Sequence, residues 1–375
     1  MEYNSKAKRI SEDITRDIWQ KDYDVGKRLP AELTLAAKYG VTRMTLRKAI
    51  DILVNANILV RKPHGGTIIN PDALPQDDVD APPRSLPIGV FIAENPSYTS
   101  MEICRGARDC AKLHGRNILL LHCLDGIKGA INELRKLDTH QLAGLIVVAH
   151  NKEIIGLLRE LNRKQLPMVN VSGNNSNIGI PCIGGDDCLA GFEATSLMLE
   201  RFQRPVYYFG EEPRVKGGTR EKRFNGYSKA MMAYGYQKLV NDYTFIAPEK
   251  DESDSWWSTK NDELLNSFCI NVLKNIDTPA SILAENDYIA QYIYFQAEKA
   301  KLVVGKDIAL AGIDDLPLAA KLPCPLTSVK IPYYEIGKEA ASLLIQIFGG
   351  APKPLLEKML PCSIVEREST QLPAK

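Results

Sequence analysis

Apolar residues recur with helical spacing over the first 55 residues of the chain. Three isoleucines one turn apart predict a helix over 5–20, and a second apolar group predicts the inner face of a short helix that Gly40 ends as a C-cap. A third stripe follows Thr42, which suits an N-cap. The three stripes are, in order, Ile10, Ile14 and Ile18; Leu33, Ala36 and Ala37; and Leu46, Ala49, Ile50 and Leu53. The last two helices, joined by a tight turn, have the outline of a helix-turn-helix.

After the third helix the pattern changes to that of strands. Residues 58–61 and 67–69 are short β-rich runs, and the loop "KPHGG" (62–66) joins them. Its two glycines permit positive φ and a close approach of the backbone to another molecule. Three helices followed by a basic hairpin predict a winged helix-turn-helix in 1–70.

The rest of the chain divides into a linker and a larger body. Residues 71–87 contain five prolines and four acidic residues, a composition typical of a partly extended linker. Residues 88–375 alternate apolar runs with helical patterns such as 100–115, 188–202 and 224–236. The predicted strands are 88–93, 117–123, 144–149, 168–172, 205–210, 280–285 and 307–313. This alternation predicts an α/β body of two lobes with parallel sheets, whose ligands bind at the carboxyl ends of the strands.

Charge is distributed unevenly between these parts. Residues 1–70 hold 13 Lys/Arg against 8 Asp/Glu, a net charge of +5, whereas the remainder has a net charge of −4. A basic head on a mildly acidic body is typical of a nucleic-acid-binding module joined to another domain. The sequence shows no apolar signal segment, no run long enough for a membrane span and no C-x-x-C or clustered metal ligands. We therefore expect a cytoplasmic, nucleoid-associated bacterial protein with reduced cysteines, no metal and no cofactor.

Residues 26–69, "GKRLPAELTLAAKYGVTRMTLRKAIDILVNANILVRKPHGGTII", resemble the DNA-binding head of GntR-type transcriptional regulators. The shared features are the L-P-x-E start, the recognition helix "TRMTLRKAI" and the glycine-containing wing. Arginine offers a planar fork matched to guanine or phosphate, and the first turn of a recognition helix reaches base edges. The resemblance implies DNA contacts by nine residues: Arg28, Thr42, Arg43, Thr45, Arg47, Lys62, His64, Gly65 and Gly66.

The body resembles the effector domains of LacI-type regulators, which share the fold of periplasmic sugar-binding proteins. The stretches that carry this likeness include "IGGDDCLAGFEA", "TREKRFNGYSKAM", "ILAENDYIA" and "AGIDDLPLAAKLPCPLTSV". By resemblance, Arg223 and Asp287 clamp sugar hydroxyls, although a structural salt bridge is the alternative for both. Trp256 or Trp257 supplies a stacking face. Further ligand candidates are Tyr98, Asp186 and His150, the last with a purely structural role as its alternative.

Together these features predict a sequence-specific transcriptional regulator, a repressor of sugar-utilisation genes whose operator affinity depends on a small sugar bound between the lobes. The GntR-type head on a LacI-type body is similar to arabinose-responsive repressors of Gram-positive bacteria. We expect a homodimer on double-stranded operator DNA, with no membrane partner. The alternatives are an enzyme or a transport-type sugar-binding protein with an accessory DNA-binding head. The absence of G-x-S-x-G and P-loop motifs speaks against the enzyme.

Overall fold

The computed structural model describes residues 2–19, 23, 27–55, 59–62, 66–70, 86–93, 96–122, 126–137, 139–149, 152–163, 166–171, 179–212, 217–247, 259–348 and 357–371. The chain forms two compact units, one of Met1–Pro83 with Ile345–Pro354 and one of Arg84–Leu344 with Leu355–Lys375. We call Met1–Pro83 the head and the second unit the body. Most of the predicted linker, 71–85, lies outside the described residues.

The head consists of three helices and a hairpin: α1 (Glu2–Trp19), α2 (Glu32–Lys38), α3 (Arg43–Asn55), β1 (Leu59–Lys62) and β2 (Gly66–Ile69). β1 and β2 pair antiparallel. The apolar stripes of α1 and α3 are buried, with Ile14, Leu46 and Ala49 fully inaccessible to solvent. The predicted winged helix-turn-helix is confirmed.

The turn between α2 and α3 depends on Gly40. Its φ of +62° is favourable for glycine, and the N–H of the next residue, Val41, donates to the carbonyl of Ala36 at 3.0 Å. Thr42 then caps α3, because its Oγ1 accepts the backbone N–H of Thr45 at 3.3 Å. The predicted N-cap is confirmed, whereas the C-cap of α2 is Tyr39 and Gly40 is the left-handed residue that follows it.

The predicted inner face of α2 was right at Ala36 and wrong at Leu33 and Ala37, which are exposed. Leu33 is 68% exposed, whereas Leu35 and Ala36 are buried. The buried stripe of this seven-residue helix is rotated by about one position relative to the prediction, because Leu35 packs with the α1 and α3 core.

The described part of the body contains strands and helices in near alternation. The strands are β3 (Ile88–Ile92), β4 (Ile118–His122), β5 (Gly144–Val148), β6 (Met168–Val171), β7 (Cys182–Gly185), β8 (Tyr207–Glu211), β9 (Thr244–Ala247), β10 (Ala280–Ala284), β11 (Ile308–Ile313), β12 (Thr327–Lys330), β13 (Glu357–Leu360) and β14 (Ser363–Val365). The helices are α4 (Tyr98–Leu113), α5 (Gly126–Lys136), α6 (Lys152–Arg163), α7 (Asp187–Phe202), α8 (Thr219–Ala233), α9 (Thr259–Leu273), α10 (Asp287–Lys299) and α11 (Tyr333–Phe348). None of the helices in the described part of the chain is both long and apolar enough to cross a membrane.

The strands form two six-stranded sheets, one for each lobe. The first has the order β13-β7-β6-β5-β3-β4 and is parallel throughout. The second has the order β14-β12-β11-β10-β8-β9, in which β14 alone runs antiparallel to its neighbour. Parallel strands need apolar cover on both faces, which explains the nearly continuous burial of β5, β10 and β11. The predicted α/β body with parallel sheets is confirmed.

The chain passes between the two sheets three times, from β7 to α7, from β12 to α11 and from β13 to β14. α11 packs closely on α4. A Cβ built on Gly106 of α4 would lie 1.9 Å from the carbonyl oxygen of Tyr334. A Cβ on Gly337 of α11 would likewise lie 1.9 Å from the oxygen of Ile103. Glycine is required at both positions for this helix contact.

Replacing Gly106 with alanine should lower the free energy of unfolding by about 1–3 kcal/mol, because the new methyl overlaps backbone atoms that cannot rotate away. Urea unfolding measures the change. The control is Gly156→Ala in α6, where nothing lies within 4 Å of an added Cβ. That variant should gain up to about 1 kcal/mol from helix propensity, and equal effects in the two variants would contradict the packing interpretation.

Candidate functional site

The predicted recognition helix, α3, begins with an exposed pair of arginines. Arg43 is the first residue of α3 and Arg47 lies one turn further on, with side chains 61% and 60% exposed. Glu32, the first residue of α2, lies between them. Its Oε2 is 2.9 Å from Nε of Arg43 and its Oε1 is 4.0 Å from Nε of Arg47. The helix-turn-helix therefore brings both predicted DNA-contacting arginines to one carboxylate.

The two threonines of this turn differ in accessibility. Thr42 is exposed, whereas Thr45 is only 4% exposed and its hydroxyl lies 2.9 Å from that of Thr42. In this structure the Thr45 hydroxyl belongs to the cap of α3. Contacts of the two threonines with phosphate stay predictions.

The wing brings together three of the remaining predicted DNA contacts. Lys62 pairs with Gly66 across the hairpin. Gly66 has a φ of +75°, and a Cβ there would lie 2.3 Å from Nε of Arg28. Glycine therefore admits the Arg28 guanidinium against the wing. His64 and Gly65 lie outside the described residues.

In the body, close packing of α7 on α8 positions Arg223. A Cβ on Gly191 of α7 would lie 2.1 Å from the carbonyl oxygen of Arg223. A Cβ on Gly226 of α8 would lie 2.1 Å from the oxygen of Cys188. These glycines let the two helices approach until the Arg223 side chain meets the first residue of α7.

Arg223 is 3% exposed, and its guanidinium has four partners, of which the Tyr333 hydroxyl, 3.5 Å from Nη2, is the most distant. Nε donates to Oδ1 of Asp187 at 2.9 Å, and Nη1 donates to the backbone oxygen of Glu285 at 2.8 Å. Nη2 donates to Oδ1 of Asp314 at 2.6 Å. Burial lowers the pKa of Arg223, but the Asp314 and Asp187 carboxylates raise it well above its usual value. The guanidinium is therefore charged and links the start of α7 to the carboxyl ends of β10 and β11.

Asp314 is the point where this network reaches α11. Its φ of +115° is unusual for a residue other than glycine, and such strain persists where surrounding contacts hold it. Tyr333, the first residue of α11, donates its hydroxyl to the same Oδ1 at 2.6 Å. Burial, together with the Asp314 charge, raises the pKa of Tyr333 well above its usual value, which keeps the hydroxyl protonated.

Asp287, the second predicted sugar clamp, is fully buried. Its Oδ2 accepts the backbone N–H of Leu316 at 2.7 Å and its Oδ1 accepts the hydroxyl of Ser328 at 2.6 Å. Burial and the nearby Asp314 charge raise the pKa of Asp287 to about 8. These contacts are hydrogen bonds to uncharged groups rather than the salt bridge given as the alternative for Asp287, and direct sugar contact stays a prediction.

A second acid–base cluster at the same sheet edge was not predicted. Arg220 forms ion pairs with Glu211 and, at 3.1 Å, with Glu285. Burial raises the pKa of Glu285 to about 7. Glu211 ends β8 and Glu285 follows β10, so a rule that examines the last residue of each buried strand and the residue after it would have found both.

The remaining ligand candidates have different outcomes. Asp186 caps α7 by accepting the backbone N–H of Leu189 at 2.9 Å. Tyr98 is the first residue of α4 and is 44% exposed. His150 and Trp256 lie outside the described residues. Within the described part of the chain, no group of three His, Cys, Asp or Glu side chains is arranged to hold a metal ion.

Replacing Asp287 with asparagine should change the pH dependence of stability. In the folded wild type the Asp287 carboxyl has a pKa of about 8 and keeps its proton below that pH. In the unfolded chain its pKa is about 3.9, so the proton is lost at a much lower pH. Stability from this group is therefore present at low pH and lost as pH rises through about 8. In urea unfolding, the stability of wild type relative to Asp287→Asn should fall between about pH 5 and about pH 8.

The matched control is Asp242→Asn, an exposed position in the same lobe. Its stability difference from wild type should stay constant over this range. A constant difference for Asp287→Asn would contradict the protonation assignment.

Comparison with known proteins agrees with this architecture. Residues 6–69 match the gntR family of bacterial regulatory proteins, and residues 195–370 match the periplasmic binding protein-like domain. An arabinose metabolism transcriptional repressor of Geobacillus stearothermophilus is 24% identical over 325 residues, which are 86% of this chain and 85% of that protein.

Two solved structures show the same fold. The lac repressor dimer bound to operator and an anti-inducer aligns with a TM-score of 0.61 and 18% identity, over 76% of this chain and 94% of that one. A LacI family regulator of Enterococcus faecium with bound ribose aligns with a TM-score of 0.61 and 20% identity, over 77% and 99% of the two chains. The chain therefore joins a helix-turn-helix domain of the gntR family of bacterial regulatory proteins to a periplasmic binding protein-like domain.

Proposed function

We propose that this protein is a transcriptional repressor of sugar-utilisation genes and that a small sugar bound in the body controls its affinity for operator DNA. The observation that carries the proposal is the presence, in one chain, of an exposed pair of recognition-helix arginines and a polar network at the carboxyl edge of a parallel sheet. The first suits DNA and the second suits a polyol.

The head supplies both kinds of DNA contact. Arg43 and Arg47 lie at the start of α3, the part of a recognition helix that reaches base edges in the major groove. Lys62 and Arg28 lie at the wing, where they contact phosphates. His64, Gly65 and Gly66 enter the adjacent minor groove in this proposal.

The body offers a polar site in which carboxyl groups outnumber the cationic side chains with which they pair. Around Arg220 and Arg223, the described residues contribute five carboxyl groups: Asp187, Glu211, Glu285, Asp287 and Asp314. Carboxylates accept hydrogen bonds from adjacent hydroxyls, whereas phosphate would meet like charge. We therefore propose an uncharged sugar, held by Arg223 and the neighbouring acids and covered by Tyr98, Asp186, His150 and Trp256.

A homodimer in the cytoplasm completes the proposal. The lac repressor structure is a dimer on its operator, and two heads related by a twofold axis match a palindromic site. Regulation then requires two states of the dimer with different DNA affinity, only one of which the sugar favours.

An uncharged pentose or hexose should raise the thermal unfolding midpoint of the protein, and the same sugar should change its operator affinity in a gel-shift titration. Ligand in excess over its dissociation constant stabilises the folded state by mass action, by about 2.7 kcal/mol at a hundredfold excess. Arg223→Lys should lose the thermal shift, because lysine cannot hold three partners in one plane.

The control Arg105→Lys alters an exposed arginine of α4 and should respond as wild type does. Stabilisation by sugar phosphates alone would contradict the uncharged ligand. Operator affinity that no bound sugar alters would contradict the regulatory proposal.

Arg43→Ala and Arg47→Ala should each weaken operator binding by about 1–3 kcal/mol if these arginines read bases. Fluorescence anisotropy with operator and scrambled duplexes separates loss of specificity from loss of charge. Arg105→Ala in the body controls for removal of an arginine. Normal operator binding by both head variants would show that α3 is not the recognition helix.

A further inference from the structure

Glu32 occupies an unusual position for an acidic residue in a DNA-binding surface. It lies 11 residues before Arg43 in the sequence, yet the helix-turn-helix places its two carboxylate oxygens toward two different arginines. Both arginines are among those proposed to read DNA. The carboxylate itself is 28% exposed, so DNA phosphates approaching α3 would meet its charge.

Glu32 lies in the first turn of α2, where a carboxylate gains about 0.3–1 kcal/mol from the helix dipole, but this gain does not explain its placement between two arginines. Exposed ion pairs contribute little to folding, because water screens the charges and ordering two long side chains costs entropy. The core of the head is apolar and does not include Glu32. A carboxylate between two recognition arginines also opposes attraction to the DNA backbone, which drives non-specific binding. A residue that adds little stability and weakens non-specific binding calls for a role in recognition.

The geometry suits positioning of the guanidinium groups. Arg43 uses Nε for its bond to Glu32, and a guanidinium keeps four more N–H donors on its two Nη atoms. Those Nη donors are the ones that form a fork to guanine O6 and N7. Holding the side chains before DNA arrives reduces the rotamer entropy lost on binding.

We propose that Glu32 is a positioning residue for operator recognition, which orders Arg43 and Arg47 side by side and lowers affinity for DNA of other sequence. This inference rests on the proposed DNA-binding function. The proposal predicts that the Glu32 carboxylate raises the ratio of operator affinity to non-specific affinity, although its negative charge lowers the net positive charge of the DNA-binding surface.

The test compares three variants of the full chain with wild type: Glu32→Gln, Glu32→Ala and the control Asp51→Asn. Asp51 also pairs with an arginine of the head, Arg61, at 2.5 Å, and both side chains are about half exposed. Arg61 is not among the proposed DNA contacts. Asp51→Asn and Glu32→Gln therefore remove the same charge from the same domain.

Wild-type protein first selects its operator from a random duplex library. Binding of that operator and of a scrambled duplex is then measured by anisotropy at several salt concentrations. Each charge removal should increase affinity for the scrambled duplex. The slope of the logarithm of the binding constant against the logarithm of the salt concentration should become steeper by up to about 0.9. The ratio of operator to scrambled affinity should fall about fivefold or more in Glu32→Gln and Glu32→Ala, and should stay at the wild-type value in Asp51→Asn.

An equal fall in Asp51→Asn would overturn the proposal in favour of a general charge effect, as would an unchanged ratio in both Glu32 variants. Thermal unfolding of each variant confirms that the head is folded. Failure of the wild type to enrich any sequence would instead remove the proposed function on which the inference rests.

Discussion

The buried guanidinium of Arg223 is the interaction on which the second lobe of the body depends. A charge withdrawn from water costs several kcal/mol unless partners satisfy it. Three of its partners come from the start of α7 and the ends of β10 and β11, and the fourth, Tyr333, from the start of α11. The positions of these elements must therefore agree closely, which explains why α7 and α8 meet through Gly191 and Gly226 rather than larger residues.

Much of the fold could be predicted because its longest strands and helices have clear local sequence patterns. All seven predicted strands of the body are present, since each is a continuous apolar run of a parallel sheet. Strands such as β7 (CIGG) and β13 (EKML) were missed, because they are four residues long and lack such a run. Their strand structure depends on pairing, of β7 with β6 and of β13 with β7. The rotated face of α2 has the same cause, since a seven-residue helix carries too little periodicity to fix its orientation.

The site was predictable by residue but not by contact. Motif likeness indicated Arg223, yet its partners Asp187, Asp314 and Tyr333 lie 36, 91 and 110 residues away in the sequence. No spacing rule joins positions so distant. The same limit applies to Glu32, whose conversion from a helix-start acid to a bridge between two arginines requires the turn at Gly40 to fold the two helices together.

The head and the body use arginine–carboxylate pairs in opposite ways. In the head the pairs are exposed, with Arg43 at 61%, so Arg43 can keep its Nε bond to Glu32 while its remaining N–H donors stay accessible to DNA. In the body the Arg223 side chain is 4% exposed, and separating it from Asp187 or Asp314 leaves a buried charge unpaired. A ligand can replace those carboxylates only by supplying acceptors in the same places, or it can add to them by donating hydroxyls to their remaining lone pairs. The second route requires no separation of charge, and for this reason we propose a hydroxyl-rich neutral compound rather than an anion as the ligand.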